Sequence, residues 1–196
     1  MSKIVVFMSV PLNGVMQAPG RPDEDRRDGF AYGGWAGPYS DETMGQASAE
    51  SMAHTDALLF GRRTYEDFYS VWPNQTDNPF TDVLNNTRKY VASTTLSEPL
   101  PWVNSTLLRG DAAEAVAELR AQPGRNIVIL GSGLLVQSLM ASDLIDEYVL
   151  LIHPLVLGTG RRLFAEGVPL ADLALQQAIT TTTGVVIATY QPKRPA

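Results

Sequence analysis

Asn126–Leu139, NIVILGSGLLVQSL, is the stretch whose reading decides the fold. Ile127 to Leu130 are consecutive apolar residues, the pattern of a strand buried on both faces. The pattern breaks at Gly131-Ser132-Gly133 and resumes with Leu135, Leu139 and Met140 at helical spacing. A strand that passes through small residues into a helix leaves unpaired backbone N–H groups at the helix start. Together with the helix dipole they attract an anion, most often a phosphate. The turn is therefore either a phosphate seat or a tight connection that only needs small residues. It is not the full dinucleotide fingerprint, because Val136 stands where the third glycine would fall.

The rest of the chain sets the bounds. Its 196 residues are expected to form one domain, residues 1–196, with room for a sizeable core. Hydrophobic residues make up 44% and charged residues 18%, an ordinary globular composition. A net charge of -6 carries no general footprint for nucleic acid or anionic membranes, so any bound phosphate must be met by a local cluster of donors. The absence of cysteine excludes disulfides, zinc–thiolate sites and thiol catalysis. With only His54 and His153, no metal site is expected. The N-terminus reads as a first strand rather than a signal peptide, and no apolar run approaches membrane-spanning length. A cytoplasmic protein is the simple expectation.

Taken in order, Lys3–Val10 (KIVVFMSV) reads as a central strand ended by Pro11-Leu12-Asn13-Gly14. The segment from Val15 to about Ser40 reads as a long loop, uncommon in a compact domain and often a lid or binding loop. Its Phe30, Tyr32, Trp35 and Tyr39 would either stack on a flat ligand or anchor the loop. Its charge run, Asp23–Asp28, reads as solvated. Asp41–His54 reads as a helix capped by Ser40 or Asp41. Asp56–Phe60 is a second buried strand, running into Gly61-Arg62-Arg63-Thr64 and a short helix, Tyr65–Tyr69. Arginines suit phosphate because their donor fork is planar and permanently charged. Asn78-Pro79 opens a helix to about Asn86. Lys89–Ala92 is a third strand, ending in the hydroxyl donors Ser93-Thr94-Thr95. Ser105–Leu108 is a short strand, and Asp111-x-x-Glu114 opens a helix that ends near Gln122. Asp146–His153 is a further strand, and Leu173–Thr180 with Val185–Gln191 reads as a closing hairpin. Donors thus recur at several strand ends, where open α/β sheets bind ligands.

LLFGRRTYEDF (Leu58–Phe68), KYVAST (Lys89–Thr94), IVILGSGLLVQSL (Ile127–Leu139) and DEYVLLIHPLVLGTGRRLF (Asp146–Phe164) appear in that order. This arrangement resembles the dihydrofolate reductase superfamily and, within it, the branch of the RibD C-terminal domain. The resemblance implies a three-layer α/β fold: a mixed, mostly parallel sheet of about eight strands, its antiparallel strand at one edge, with helices on both faces. It implies NADPH as cofactor. Gly61, Arg62, Arg63 and Thr64 then take the adenosine side and the 2′-phosphate, and Ser93 and Thr94 serve the same end. Gly131, Ser132 and Gly133, with Leu134 after them, take the pyrophosphate. Ser9, near Met8, borders the nicotinamide, with Gly14 and Met16 close by. On the substrate side stand Met16, Trp35 and Tyr39. A homodimer is implied as well.

The sequence departs from dihydrofolate reductase in two places. The acidic residue of that enzyme's first helix falls on Gly45 by ungapped counting from Gly61, and Leu134-Leu135-Val136 replace a basic and an aromatic residue. The proton donor is thus unassigned, with Asp41, Glu42 and His153 as candidates and Glu50 nearby. Both departures favour the RibD-like branch. The expected function is NADPH-dependent reduction of a small pterin- or ribosylaminopyrimidine-like substrate, phosphoribosylaminouracil-reductase-like or dihydrofolate-reductase-like. The alternatives are a non-catalytic NADPH-binding protein of the same fold and, on the loop aromatics alone, a flavin binder. Gly158–Arg162 reads as another anion site, and the resemblance implies a turn that supports the cleft or the subunit contact.

Overall fold

The N-terminal apolar run forms β1 (Lys3–Pro11) in the interior of an eight-stranded sheet in the computed structural model, which describes residues 1–193. The other strands are β2 (Thr55–Gly61), β3 (Arg88–Ala92), β4 (Ser105–Leu108), β5 (Asn126–Leu130), β6 (Glu147–His153), β7 (Leu173–Thr180) and β8 (Val186–Pro192), in the order β4-β3-β2-β5-β1-β6-β8-β7. From β4 through β6 every neighbour pairs in parallel. β8 runs antiparallel to both β6 and β7, so the antiparallel strand lies one place in from the edge and not at it. The hairpin explains the difference: its second strand takes the free side of β6 and leaves β7 outside.

Alternation along β1 shows why both sheet faces are covered. Ile4, Val6 and Met8 join one core with Ile129, Val136 and Leu139. Val5 joins the other, with Leu58, Phe60, Val91 and Val128. Helices α4 (Ala112–Ala121) and α5 (Gly133–Ala141) close the first face through Val116, Leu119 and Leu135. α2 (Arg62–Val71) and α3 (Phe80–Asn86) close the second through Tyr65 and Leu84. α1 (Glu42–Ala53) covers β6 and β8, with Met44 and Ala47 against Leu151 and Ile187. Each large apolar side chain so buried contributes about 1.5–3 kcal/mol.

The helix starts follow their capping residues. Asp111 accepts from the Ala113 and Glu114 N–H groups, Asp41 accepts from that of Met44, and Asn78 Oδ1 accepts from Phe80 N at 3.0 Å. α2 begins at Arg62, earlier than the expected Tyr65. Extended Gly61 (φ -78, ψ 157) is its cap, which puts both arginines and Thr64 into the first helical turn.

The long loop is a packed flap. Val15, Ala18, Phe30 and Trp35 bury themselves with Leu157 into a small core of their own. Gln17, also buried, is its hub. Its carbonyl accepts from Trp35 Nε1 at 2.8 Å, its Nε2 donates to the Arg27 carbonyl at 3.1 Å, and its Oε1 accepts from Arg161 N at 3.0 Å.

Candidate active-site cleft

The carboxyl ends of β1, β2 and β5 open together on a cleft of about 840 Å³. Met8 and Ser9 of β1 form part of its floor, and the flap covers it with Met16–Pro19. On one side stands the first turn of α2, Arg62 to Thr64. Beside it lies the turn into α5, Gly131–Leu134. α1 contributes Ser48, Ser51 and Met52.

The two turns are locked to each other. Ser132 N donates to Thr64 Oγ1 at 3.1 Å, and Gly61 N donates to Ser132 Oγ at 3.0 Å. Because its hydroxyl is turned toward Gly61, Ser132 does not cap its own helix. The N–H groups of Gly133, Leu134 and Leu135 therefore find no protein acceptor among the described residues, and the first bond of the helix runs from Val136 N to the Ser132 carbonyl at 3.1 Å. This is the geometry that favours an anion at a helix start. Glycine is favoured at 131 by its backbone, and at 133 any side chain would have to displace Met16. Gly131 has φ +62, and a Cβ on Gly133 would fall 1.7 Å from Met16 Sδ, so the Met16 thioether lies directly against the turn.

Charge is unevenly partnered around this seat. Arg62 reaches Glu66 at 3.1 Å in an exposed pair, which holds it only weakly. Arg63 is exposed and makes no ion pair among the described residues. Arg21 of the flap grips Asp67 of α2 with both guanidinium nitrogens, at 2.5 and 3.2 Å. Arg27 pairs with Asp25, and Arg161 with Asp28 at 2.8 Å. The Asp23–Asp28 run is solvated only in part: Asp23, Arg26 and Asp28 are exposed as expected, whereas Glu24, Asp25 and Arg27 are half-buried, and Glu24–Arg27 line the cleft beside Gln17. Burial pushes the Glu24 carboxyl up from its ordinary value, although its Oε2 accepts from Gly20 N at 2.7 Å and Arg21 N at 3.1 Å.

The cleft brings together Ser9, Met16, Gly61, Arg62, Arg63, Thr64 and the turn Gly131–Leu134. Other sequence candidates lie elsewhere. Gly14 (φ +76) closes the turn after β1, donating to the Pro11 carbonyl at 2.8 Å. Ser93 and Thr94 follow β3 outside the cleft, where Ser93 Oγ accepts from the N–H groups of Thr95 and Leu96, each at 3.1 Å. Trp35 and Tyr39 pack edge-on against His153, with ring centroids at 5.1 and 5.5 Å, and so anchor the flap. His153 is fully buried, neither ring nitrogen has a partner among the described residues, and burial pushes it down to about 4.

Asp41 caps α1 and clamps the β7–β8 hairpin. Its Oδ2 accepts from the Thr182 hydroxyl at 2.6 Å and from Thr182 N at 2.8 Å. The Thr182 hydroxyl, then Met44 N–H, hold its carboxyl at about 2. Glu42 is exposed and accepts from Gln46 Nε2 at 3.1 Å. None of these three acid–base candidates lines the cleft.

What the sequence reading missed is the α1 and α2 lining. Ser48, Ser51 and Met52 share one helix face at i, i+3 and i+4, and Asp67 and Phe68 lie one turn and more beyond Arg63. That spacing was visible in the sequence. Among the described residues no cluster of His, Asp and Glu could hold a metal ion, and no helix is long and apolar enough to cross a membrane.

The family model of the RibD C-terminal domain matches residues 2–188. The Bacillus subtilis (strain 168) protein YyaP, itself uncharacterized, is 29% identical over 143 residues, 69% of this chain and 73% of its own. The crystal structure of a pyrimidine reductase-like protein from Corynebacterium diphtheriae superposes with a TM-score of 0.68 at 15% identity, covering 98% of this chain and 92% of that one. Dihydrofolate reductase from Enterococcus faecalis, complexed with NADP(H), superposes with a TM-score of 0.60 at 14% identity, covering 98% and 97%. At these identities the two structures share the fold.

Proposed function

The chain belongs to the RibD C-terminal domain family, and on that premise we propose that it is an NADPH-dependent reductase of a small heterocyclic substrate. The observation that carries the reading is the pair of interlocked helix starts, which leaves the N–H groups of Gly133, Leu134 and Leu135 unpartnered beside Arg62 and Arg63. An anion that meets free backbone donors and a guanidinium gains charge-assisted hydrogen bonds. Gly131–Leu134 would hold the pyrophosphate. Gly61, Arg62, Arg63 and Thr64 would hold the adenosine side and its 2′-phosphate, with Ser93 and Thr94 at the neighbouring strand end for the adenosine edge. Ser9 and Met16 would border the nicotinamide, placed by the turn at Gly14.

When bound, the dinucleotide supplies a hydride. The chain's own contribution is positional: the flap excludes water from above, and the glycine turn fixes the phosphates. No carboxylate of α1 lines the cleft; the carboxylates that do are Glu24 and Asp25 of the flap and Glu66 and Asp67 of α2, so the accompanying proton would come from water or from one of these. A homodimer and a cytoplasmic location belong to the same reading.

The test is oxidation of NADPH, followed by loss of reduced-nicotinamide absorbance, with dihydropterins, ribosylaminopyrimidines and quinones as acceptors. Turnover with any of them establishes a reductase. NADPH binding without turnover across the panel favours the non-catalytic alternative, and no NADPH binding sinks both.

A further inference from the structure

The carboxylates that line the cleft do not share one environment. Both oxygens of Asp25 are taken by Arg27, whose Nε donates to Oδ1 at 2.8 Å and whose Nη2 donates to Oδ2; these bonds hold the Asp25 carboxyl below its ordinary value. Both oxygens of Asp67 are taken by Arg21, at 2.5 and 3.2 Å. Glu66 is exposed and receives Arg62 Nη1 at 3.1 and 3.4 Å. A carboxylate gripped by a guanidinium, or standing in solvent, keeps its charge near neutral pH and has no proton to give.

Glu24 differs on each count. It is half-buried and forms no ion pair among the described residues. Its Oε2 is occupied twice, by Gly20 N at 2.7 Å and by Arg21 N at 3.1 Å. Its Oε1 accepts from no group among the described residues and is not enclosed. A proton on this carboxyl therefore sits on Oε1, the oxygen left free to donate. Burial pushes the carboxyl up against the pull of the two backbone N–H groups, and burial prevails. The charged groups beside it are Asp67 of α2, which raises it, and Arg21 of the flap, which lowers it; these two are paired to each other. The flap that carries Glu24 also sets Met16 against the glycine turn, whereas α1 presents the hydroxyls of Ser48 and Ser51 to the cleft and no acid.

We propose that Glu24 is the general acid of the reduction, giving its Oε1 proton to the heteroatom of the acceptor as the neighbouring carbon takes a hydride. This role rests on the reductase reading and deepens it. The step balances. The acceptor's polarised carbon gains the hydride, the π pair of its C=N or C=O bond moves onto the heteroatom, and that atom takes the proton. The hydride carries both electrons away from NADPH and leaves NADP⁺, and the Glu24 carboxylate regains a proton from water.

The experiment uses Glu24→Gln, which keeps a carbonyl oxygen for the Gly20 and Arg21 N–H groups and has no acidic proton. Hydride transfer is followed in single turnovers as loss of reduced-nicotinamide absorbance, with dihydropterin, ribosylaminopyrimidine and quinone acceptors, across the pH range in which the protein stays folded. NADPH affinity and melting are measured alongside. In the cofactor-free protein the Glu24 carboxyl is titrated by carbon-13 NMR, its resonance being the one absent from the variant. The variant should transfer hydride about 10²-fold more slowly, with wild-type NADPH affinity and melting. The wild-type rate should fall as pH rises through the midpoint of the Glu24 resonance, which lies above the ordinary 4.5, and the variant should lack that limb. A variant with the wild-type rate and pH profile, or a midpoint at or below 4.5, would overturn the donor and leave the reductase reading standing. Loss of melting temperature or of NADPH affinity with the pH limb intact would make Glu24 a cap of the flap turn only, and would also overturn the donor. A protein that transfers hydride to none of the acceptors sinks the reductase reading and the donor together.

Discussion

Ser132→Ala probes the joint between the two turns. The substitution removes the Oγ that accepts from Gly61 N at 3.0 Å and leaves that half-buried N–H without a partner. An unsatisfied donor of this kind costs about 1–2 kcal/mol. The backbone at residue 132 stays left-handed (φ 54) for either residue, so strain cancels in the comparison. For a chain of this length the cost corresponds to a melting point lower by about 3–6 °C. Thr64→Val removes the acceptor of Ser132 N at 3.1 Å and should cost a similar amount. Both bonds hold the same turn, so the double variant should lose less than the two single losses together, with a coupling of about 0.5 kcal/mol or more. Each variant should also weaken NADPH by about tenfold, because the N–H groups of Gly133–Leu135 are no longer aimed as a set. Thermal denaturation with and without NADPH reads both effects. Wild-type melting and wild-type NADPH affinity in Ser132→Ala, or strictly additive losses in the double variant, would refute the claim that the turns act as one seat.

Buried His153 sets a pH dependence. Its folded value of about 4 lies below its ordinary 6.5, so the unfolded chain binds more protons between those values. Stability present above pH 6.5 is therefore lost as pH falls toward 4, by up to about 3 kcal/mol. Urea titrations across that range should show the slope in the wild type and a flatter one in His153→Leu; equal slopes would contradict the assignment. At the opposite end of the sheet, buried Lys89 donates to the carbonyls of Leu84 (2.7 Å), Asn85 (3.2 Å) and Thr87 (2.7 Å), finishing α3. Lys89→Met should cost about 2–4 kcal/mol by leaving those acceptors bare, and chemical denaturation measures it. Asp41→Asn should lower the melting point by loosening the α1 cap and the Thr182 clamp. It should leave the rate of NADPH oxidation unchanged, whereas a large loss of rate at unchanged affinity would return Asp41 to the chemistry.

The central strands were legible because Lys3–Val10 and Ile127–Leu130 are apolar on both faces, which only a covered parallel sheet tolerates. The phosphate-seat candidates were legible as glycine, arginine and hydroxyl residues following such runs. Side-chain direction was not. Trp35 and Tyr39 carry the same ring chemistry whether they stack on a ligand or pack on His153, and only the flap's fold around Gln17 decides between them. The early start of α2 depended on the extended backbone of Gly61, a property of the folded chain. The place of β8 depended on which side of the hairpin took the free edge of β6. On α1, ungapped counting landed on exposed Gly45, while the face toward the cleft begins one turn later at Ser48.

Calorimetric titration of NADPH and NADH into the wild type and into the Arg62→Ala/Arg63→Ala double variant tests the cofactor seat most directly. Removing a charge-assisted hydrogen bond to phosphate should cost about 1.5–3 kcal/mol for each arginine that makes one. The double variant should therefore bind NADPH at least about tenfold more weakly and NADH nearly as the wild type does. Equal weakening of the two cofactors, or a wild-type protein that binds neither, would contradict the account.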